Sequence, residues 1–372
     1  MRRATRSAFS IIKLFHYKPK PPCRGLRGGF GHRKENNMKK FLCVVIALML
    51  LAFTACGKTE TNVPTPTPET EPTATAEEFT PATFNIGALK GPTGMGISKL
   101  MSDSENGKYK NTYKTELFSA PTDVTALLLK GELDIAALPT NLAATLYNKS
   151  EGKIQLLALN TLGVLYVLEK GNTVHSIKDL EGKKIYSSGQ ASTPEYALNY
   201  VLKANNVNCE VEYFATHAEL ATQALQGNAD IILIPEPQVS TIIAKDSSFR
   251  IAVDFNAAWD EACSNTALFS MGCLAIRKEF AENNKAAVEQ FVKDYAASVQ
   301  FVNENPKEGA ELIAKYEIVP SAAIAEKAIP NCKMVTITGS EMKTKTQAFL
   351  QILFESDAKS IGGALPGEDF YY

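Results

Sequence analysis

The sequence predicts an α/β fold of two lobes, each a mainly parallel sheet with helices on both faces. Three observations lead to this prediction. The chain has 372 residues, enough for two domains that each bury a core. Short apolar runs alternate with helical patterns from Thr83 onward, which is the spacing of βαβ crossovers. A long apolar stretch, residues 154–171, is interrupted at Gly163, where we expect the chain to cross between lobes.

The first lobe is predicted over residues 83–164 and 269–372. Its strands are TFNIGAL, YKTELFSA and LDIAALP, each followed by a helical pattern, and then the part of the long apolar stretch that precedes Gly163. A further strand, LFSMGCLAIR, returns the chain to this lobe after the second lobe is complete. Helical periodicity then predicts three C-terminal helices, over residues 285–303, 307–316 and 340–354.

The second lobe is predicted over residues 165–268. Its strands VLYVLEKG, KKIYSSG, EVEYFA, ADIILIP and RIAVDF are separated by helices, which we place at residues 194–204, 218–226 and 238–245. The chain therefore passes between the lobes twice. Two crossings form a hinge, which a clamp needs if its lobes are to close over a ligand.

The charge of the chain is unevenly distributed. From Cys56 onward, 27 Lys and Arg stand against 39 Asp and Glu, a net charge of −12. A body this acidic argues against nucleic acid as a partner, because Lys and Arg supply most non-specific affinity for phosphates. The cysteines form no CxxC pair and no Cys/His cluster with zinc-ligand spacing, so we expect no metal and no cofactor. Cys263 and Cys273 have a spacing that leaves a disulfide between them open.

Residues 38–55 have the organisation of an export signal. Met38-Lys39-Lys40 precedes an uncharged apolar run that is too short to be a stable membrane anchor, and small residues lead into Cys56. The segment resembles a bacterial lipoprotein signal, which implies cleavage before Cys56 and acylation of its sulfur. Residues 56–82 are then the lipid anchor and a Pro/Thr/Glu-rich tether. Residues 1–37, placed ahead of a complete signal, are expected to be an upstream extension preceding the true start at Met38.

Several local motifs have a familiar form when they are taken together. They are GALKGPTGMGISKLM, LLLKGELDIAALPTNLA, SIKDLEGKKIYSSGQASTPEYALNYVL, LQGNADIILIPEPQVS and GGALPGEDFYY. Over residues 83–372 the chain resembles the type II periplasmic-binding-protein superfamily. The similarity is to its nitrate, sulfonate, taurine and thiamine-precursor-like branch of substrate-binding lipoproteins.

The resemblance implies a two-lobed clamp with a two-crossing hinge, lipid-anchored on the outer face of the cytoplasmic membrane. Such a protein captures a small solute and delivers it to the permease subunits of an ABC importer; we expect a monomer. A small organic solute, such as a heterocyclic vitamin precursor, is the expected ligand. A small anion (sulfonate, nitrate or carboxylate) is the first alternative, and a ligand-sensing lipoprotein is the second.

The ligand site is predicted at loops that follow strands. Ligands of open α/β sheets bind beyond the carboxyl ends of strands, where helix N-termini point into the crevice. Glycines there allow close approach, and hydroxyl and amide side chains supply neutral donors and acceptors, although Ser, Thr and Asn also serve simply as helix caps. The predicted ligand-binding residues in these loops are Lys90, Gly91, Pro92, Thr93, Gly94, Ser119, Pro121, Thr122, Pro139, Thr140, Asn141, Gly189, Gln190, Ser192 and Thr193.

Glu236 follows the strand ADIILI and is the predicted charged residue of the cleft. It could accept a hydrogen bond from a ligand amine, pair with a first-lobe Lys or Arg to favour closure, or be a solvated acid at a helix start. His217 and Trp259 are weaker candidates, Trp259 as a stacking lid. Arginine is absent between Arg33 and Arg250, so no cleft loop carries the group best suited to anions; Lys90 remains.

Enzymes of the same fold provide the main competing function. Relatives of this superfamily include pyrimidine-precursor synthases and menaquinone-pathway enzymes. The synthases are typified by a cysteine cluster and a reactive histidine in the cleft. Residues 83–372 of this chain contain only His175 and His217 and no clustered cysteines. We therefore expect no catalytic residues and no enzymatic activity.

Overall fold

Two open sheets organise the protein, and residues 80–190 and 192–372 of the computed structural model describe them. The eleven strands in this part of the chain are β1 (Thr83–Leu89), β2 (Thr112–Phe118), β3 (Ile135–Leu138), β4 (Ile154–Leu162), β5 (Leu165–Lys170), β6 (Lys184–Ser188), β7 (Glu210–Phe214), β8 (Ile231–Pro235), β9 (Phe249–Asp254), β10 (Ser270–Arg277) and β11 (Met334–Ile337). The predictions for the upstream extension, the signal, the Cys56 anchor and nearly all of the tether lie outside the described residues.

The first sheet has six strands in the order β11-β4-β10-β3-β1-β2. Strands β1, β2 and β3 pair in parallel, β10 is antiparallel to both β3 and β4, and β11 is antiparallel to β4. Four strands, β1 to β4, consequently run in one direction. Their carboxyl ends lie at the same edge of the sheet, where the loops that follow β1, β2 and β3 begin.

The second sheet has five strands in the order β7-β6-β8-β5-β9. Strands β6, β7 and β8 pair in parallel, and β5 lies antiparallel between β8 and β9. The predicted two-lobed α/β fold is confirmed, but each sheet is mixed: four of the six strands of the first sheet and four of the five strands of the second run in one direction. The physical reason is the alternation of strand and helix, because a parallel strand is reached only through a crossover connection.

Helices cover both sheets. In the described residues they are Pro92–Met95, Ser98–Glu105, Pro121–Lys130, Thr140–Lys149, Thr193–Ala204, His217–Leu225, Gln238–Lys245, Phe255–Ala262, Lys278–Asn283, Lys285–Glu304, Pro306–Lys315, Ala322–Ala328 and Gly339–Ser356. Four short 3₁₀ turns complete the set, at Ile177–Leu180, Ile329–Asn331, Ala358–Ile361 and Glu368–Phe370. None of the helices in the described ranges is long and apolar enough to cross a membrane.

The chain passes from the first sheet to the second between β4 and β5. Gly163 stands at this point, and a Cβ atom there would lie 2.4 Å from Asn256 Oδ1 and 2.5 Å from Phe269 Cδ1. Both contacts are far inside van der Waals distance, so the position requires glycine. The return passage runs between the helix Phe255–Ala262 and β10. Asn256 belongs to that helix and Phe269 to the return segment, so the first passage is packed against residues at both ends of the second.

One of the three hydrophobic clusters in the described residues extends through both sheets. It joins Leu159 of β4 and Phe349 of the last helix to Val167 of β5 and Leu198 of the helix Thr193–Ala204. The second cluster lies under the other face of the first sheet, and the third under the other face of the second sheet. The two lobes thus share apolar contacts beneath the crossings.

The four cysteines in the described part of the chain are free thiols. Cys263 lies near the main-chain oxygen of Ala267, and Cys273 near that of Leu138, so each thiol is a buried hydrophobe with a weak hydrogen-bond acceptor nearby. Burial raises the pKa of the Cys273 thiol to about 12. The disulfide that the spacing of Cys263 and Cys273 left open is not formed.

Candidate functional site

A cavity of about 620 Å³ lies between the two sheets. Loops after β1, β2 and β3 form its first-lobe wall, and loops after β6, β7 and β8 form its second-lobe wall. Each loop leaves the carboxyl end of a strand, as binding crevices of open α/β sheets do. The lining residues are Lys90, Gly91, Pro92, Thr93, Pro121, Pro139, Asn141, Leu142, Thr161, Val164, Gly189, Ser192, Thr193, Pro194, His217, Pro235, Glu236, Pro237, Gln238, Met271, Ile318, Val319 and Pro320.

Eleven of the residues predicted from the sequence lie in this wall, including Glu236. Five others belong to the same loops but not to the wall. Thr140 is buried behind it, where its hydroxyl lies 2.6 Å from Ser270 Oγ, and Gly94 is packed against the main chain of Leu89. The side chains of the remaining three, Ser119, Thr122 and Gln190, are exposed on the outside of their loops.

Helix capping was the alternative role for the hydroxyls of these loops. Helices that begin at Pro92, Pro121, Thr140 and Thr193 have no hydrogen bond from a capping side chain. Ser192 precedes the last of these, but its hydroxyl donates instead to the main-chain oxygen of Gly189, 2.6 Å away. Capping is therefore not what these side chains do. The first-turn amides are left without side-chain acceptors, and helix N-termini favour negative charge or acceptor atoms.

A direct contact joins the two walls at Asn141. The Thr193 hydroxyl of the second lobe donates to Asn141 Oδ1 across 3.2 Å, and Asn141 Nδ2 donates to the main-chain oxygen of Ser360 across 3.0 Å. The amide of Asn141 is thus largely satisfied within the protein. Its position at the meeting of the walls indicates a role in holding the lobes together over the cavity.

Glu236 is a buried carboxyl group in the cavity wall, with only 1 % of its surface exposed. Its Oε2 accepts from the main-chain amide of Ser240, while Oε1 accepts from the Ser240 hydroxyl and from Asn331 Nδ2 at 2.9 Å. Because a carboxylate offers about four acceptor sites, one on Oε2 has no partner among the residues that the structure describes. Burial raises the pKa of Glu236, and the hydrogen bonds from Asn331 and Ser240 oppose that shift.

Two of the three roles considered for Glu236 do not match this arrangement. A solvated acid at a helix start is wrong, because the carboxyl group is buried. The first-lobe partner is the neutral Asn331 rather than a Lys or Arg. Tyr166 of the second lobe also donates to the main-chain oxygen of Asn331, across 2.9 Å, so Asn331 is held from the second lobe at both its side chain and its main chain.

His217 begins the helix after β7 and lines the cavity. Its Nδ1 lies 2.6 Å from Ser188 Oγ, at the end of β6. The cavity walls partly desolvate the ring although its surface remains in contact with solvent, and this desolvation lowers the pKa of His217. Trp259, by contrast, lies outside the cavity: its indole is fully buried, stacks on Phe269 and donates to the main-chain oxygen of Ala267. The stacking-lid interpretation of Trp259 is wrong.

The rest of the wall is mainly apolar and was not found from the sequence. Ile318, Val319 and Pro320 reach the cavity from a turn between two C-terminal helices, and Gly91 donates its amide to the main-chain oxygen of Ile318 across 3.1 Å. No strand precedes this turn, so the rule that located the other loops could not find it. Pro194, Pro235, Pro237 and Gln238 directly extend predicted loops and could have been included on that ground.

Comparison with known proteins gives the family. A sequence profile described as "Menaquinone biosynthesis" matches residues 110–329, more than half of the chain. The chain belongs to this menaquinone-biosynthesis family. Among curated proteins, no sequence matches the chain significantly.

Solved structures similar to this member of the menaquinone-biosynthesis family include importer components. An ABC transporter protein from Parabacteroides distasonis is 26% identical with a TM-score of 0.67, covering 78% of this chain and 98% of its own. The periplasmic aliphatic sulphonate-binding protein SsuA from Escherichia coli is 16% identical with a TM-score of 0.61, over 77% of this chain and 93% of its own.

A ligand-binding component of an ABC-type import system from Staphylococcus aureus is 15% identical with a TM-score of 0.58, over 78% of this chain and 96% of its own. The predicted resemblance to the type II periplasmic-binding-protein superfamily is confirmed by these likenesses. This family member has the fold of solute-binding proteins of ABC importers. The Escherichia coli and Staphylococcus aureus proteins are binding proteins by name, while the family takes its name from a biosynthetic process.

Proposed function

We propose that this protein is the extracytoplasmic solute-binding component of an ABC importer, and that it captures a small organic solute between its lobes. The observation that supports this most strongly is the cavity between the carboxyl ends of six strands, three from each lobe. A ligand that contacts both walls favours the closed arrangement over the open one, and a permease distinguishes the two. Catalysis is not part of the proposal.

An uncharged, largely apolar solute such as a heterocyclic vitamin precursor suits this wall better than a small anion. Prolines and aliphatic side chains form most of the lining, and among the described lining residues Lys90 is the one Lys or Arg. Lys90 is exposed and lies 3.8 Å from Glu317, so part of its charge is already compensated. A sulfonate or nitrate would normally be held by arginine or by several converging donors.

Delivery and anchoring complete the proposal. Acylation of Cys56 would attach the protein to the outer face of the cytoplasmic membrane, and the residues that follow would act as a tether, leaving a monomer free to meet the permease subunits. Replacement of Cys56 by alanine should release the protein from the membrane fraction of a bacterial host. Retention of C56A in that fraction would contradict the lipid anchor without affecting the proposed binding activity.

Thermal-shift screening of the full chain in mild detergent tests ligand capture. The panel contains thiamine precursors, riboflavin, nucleobases and polyamines, with sulfonates, nitrate and small carboxylates as the competing class. Stabilisation that grows with the concentration of a heterocycle is the expected result, by mass action. Stabilisation by the anions alone would overturn the proposed ligand class, and silence over the whole panel would count against solute capture.

A matched pair of variants shows whether the stabilising compound occupies this cavity. Leu142→Trp places an indole in the cavity wall, whereas Leu129→Trp makes the same change at a side chain that is 49% exposed and far from the wall. L142W should abolish the shift in melting temperature and L129W should keep it. Equal shifts in both variants would mean that the compound binds elsewhere.

A further inference from the structure

Ser188 and His217 form a hydrogen-bonded pair at the second-lobe wall. Ser188 ends β6 with 1% of its surface exposed. His217 begins the helix His217–Leu225, the second helix after β6 in the chain. The Ser188 Oγ to His217 Nδ1 distance of 2.6 Å is a short, well-formed contact. His217 is the member of the pair that lines the cavity.

The burial of Ser188 determines which way the proton points. In the described part of the chain, His217 is the one hydrogen-bond partner of Ser188 Oγ. If His217 Nδ1 carried a proton and donated it to Oγ, the hydroxyl hydrogen of Ser188 would be buried without an acceptor, which costs about 1–3 kcal/mol. Donation from the hydroxyl to an unprotonated Nδ1 avoids this cost. The neutral imidazole then carries its proton on Nε2.

Position on the helix favours the same protonation state. His217 is the first residue of a nine-residue helix, His217–Leu225, where the partial positive charge of the helix N-terminus opposes an imidazolium. In a doubly protonated ring, Nδ1 would carry a hydrogen and could no longer accept the hydrogen of the Ser188 hydroxyl. Nε2 itself has no hydrogen-bond partner among the described residues, and His217 is exposed and lines the cavity, so its proton is free to bond to solvent or to an occupant of the cavity.

We propose that Ser188 fixes His217 as a neutral donor whose Nε2–H binds an uncharged acceptor atom of the solute. This inference rests on the proposed function and specifies the chemistry of its ligand. The acceptor is a carbonyl oxygen or a ring nitrogen of a heterocycle. An amine cannot replace it, because a protonated amine has no lone pair to accept the Nε2–H bond.

Nitrogen NMR of the full chain tests the first half of the proposal without any ligand. Histidine is labelled with ¹⁵N, and the His217 signals are those that disappear in His217→Gln. Above neutral pH, we expect an unprotonated Nδ1 and a protonated Nε2 in the wild type, and a mixture of the two tautomers in Ser188→Ala. A wild-type proton on Nδ1, or a tautomer unchanged in S188A, would overturn the proposal.

Two small ring compounds test the second half. Benzamide offers a neutral carbonyl oxygen, and benzylamine, of nearly the same shape, offers only donors. At millimolar concentrations benzamide should shift the Nε2–H signal of His217 and benzylamine should not. Equal shifts with both, or no shift with benzamide, would overturn the assignment of His217 as a donor to the solute.

Substitution of His217 gives a third comparison. The side-chain amide of glutamine reaches the position of Nε2, while that of asparagine reaches only Nδ1. H217Q should therefore bind benzamide more tightly than H217N, with a loss of about tenfold in H217N. Equal affinities would contradict a donor role. The two proposals can also fail separately. If no compound of the thermal-shift panel stabilises the protein but NMR finds the expected His217 tautomer, solute capture is rejected and the Ser188–His217 assignment stands.

Discussion

The carboxyl group of Glu236 joins the second lobe to the first through a neutral partner, Asn331. Its burial makes ionisation unfavourable, which is why its pKa lies above the ordinary value. Ser240 and Asn331 supply three hydrogen bonds that recover part of this cost. A carboxyl group that is costly to ionise, and that retains an open acceptor site beside a cavity, suits a ligand that carries an N–H donor.

Replacement of Glu236 by glutamine gives a prediction for pH dependence. Because the pKa of Glu236 is raised in the folded state, its favourable contribution is complete below its unfolded-state pKa and is lost as pH rises through the folded-state pKa. The free energy of unfolding of the wild type, taken relative to E236Q, should therefore fall as pH rises from about 4.5 toward neutrality. Denaturation in urea at several pH values measures it; a constant difference would contradict the argument.

Substitution of Trp259 should change the stability of the protein without changing its affinity for a solute. Its ring stacks on Phe269 with the centroids 5.0 Å apart, and its Nε1 donates to the main-chain oxygen of Ala267. Trp259→Phe should lower the free energy of unfolding by about 1–3 kcal/mol, through lost packing and a lost hydrogen bond. Binding of a stabilising solute should not change, since the ring lies outside the cavity. A weaker affinity in W259F, measured by calorimetry, would contradict this placement.

At the scale of elements, the passage between β4 and β5 depends on a residue without a side chain. Gly163→Ala would force its methyl group against Asn256 Oδ1 and Phe269 Cδ1, and should cost about 2 kcal/mol of unfolding free energy. The double variant G163A/N256A should recover part of the loss, because one of the two clashes is removed. Thermal denaturation of the three variants measures both effects. Full stability in G163A would show that the crossing is not tightly packed.

The sequence predicted strands better than it predicted some helices and turns. Strands β1 to β10 are short runs rich in apolar, aromatic or β-branched residues, so their presence could be read from pattern alone, although β2, β7 and β9 are only partly buried. The helix Phe255–Ala262 was missed because its residues FNAAWDEA directly follow a strand with no intervening turn signal. β11 was missed because it has four residues and pairs irregularly with β4.

The candidate site was predictable where it follows the geometry of parallel strands. Loops after β1, β2, β3 and β6 were found from that rule, and Glu236 after β8. The sequence did not predict which side chains of a loop face the cavity. Thr140 is an example: its hydroxyl is turned away from the cavity toward the hydroxyl of Ser270, 130 residues away in the sequence. The pairing of Ser188 with His217 also joins separate loops, and no local pattern contains it.

At the scale of the whole molecule, contacts between the lobes set the balance between open and closed arrangements. Asn331 of the first lobe donates to Glu236 of the second. Lys333 of the first lobe forms an ion pair with Asp254 of the second, with Nζ 2.9 Å from Oδ2. These few polar contacts lie above a shared apolar cluster. Small changes in them should move the opening equilibrium without unfolding either lobe.

Asn331→Asp tests this balance. Above neutral pH the new carboxylate would stand beside Glu236 and repel it, so the protein without ligand should open and its radius of gyration in solution scattering should rise. The same change at Asn303, an exposed first-lobe residue that donates to Met334, provides the control. Acidification should reverse the opening in N331D, because the two carboxyl groups can then share a proton. Equal scattering from N331D and N303D would contradict the role of Asn331 in holding the lobes together.

The position of β10 in the first sheet has a consequence for synthesis on the ribosome. β10 lies between β3 and β4, yet it is made more than a hundred residues after either of them. Until it emerges, the nascent first lobe has a gap at its centre that only a later segment fills, whereas the second lobe is one continuous stretch of chain. A nascent chain halted at residue 268 should therefore lose residues 83–162 to a protease faster than the finished protein does. We therefore expect the second lobe to be able to complete its fold before the first lobe can.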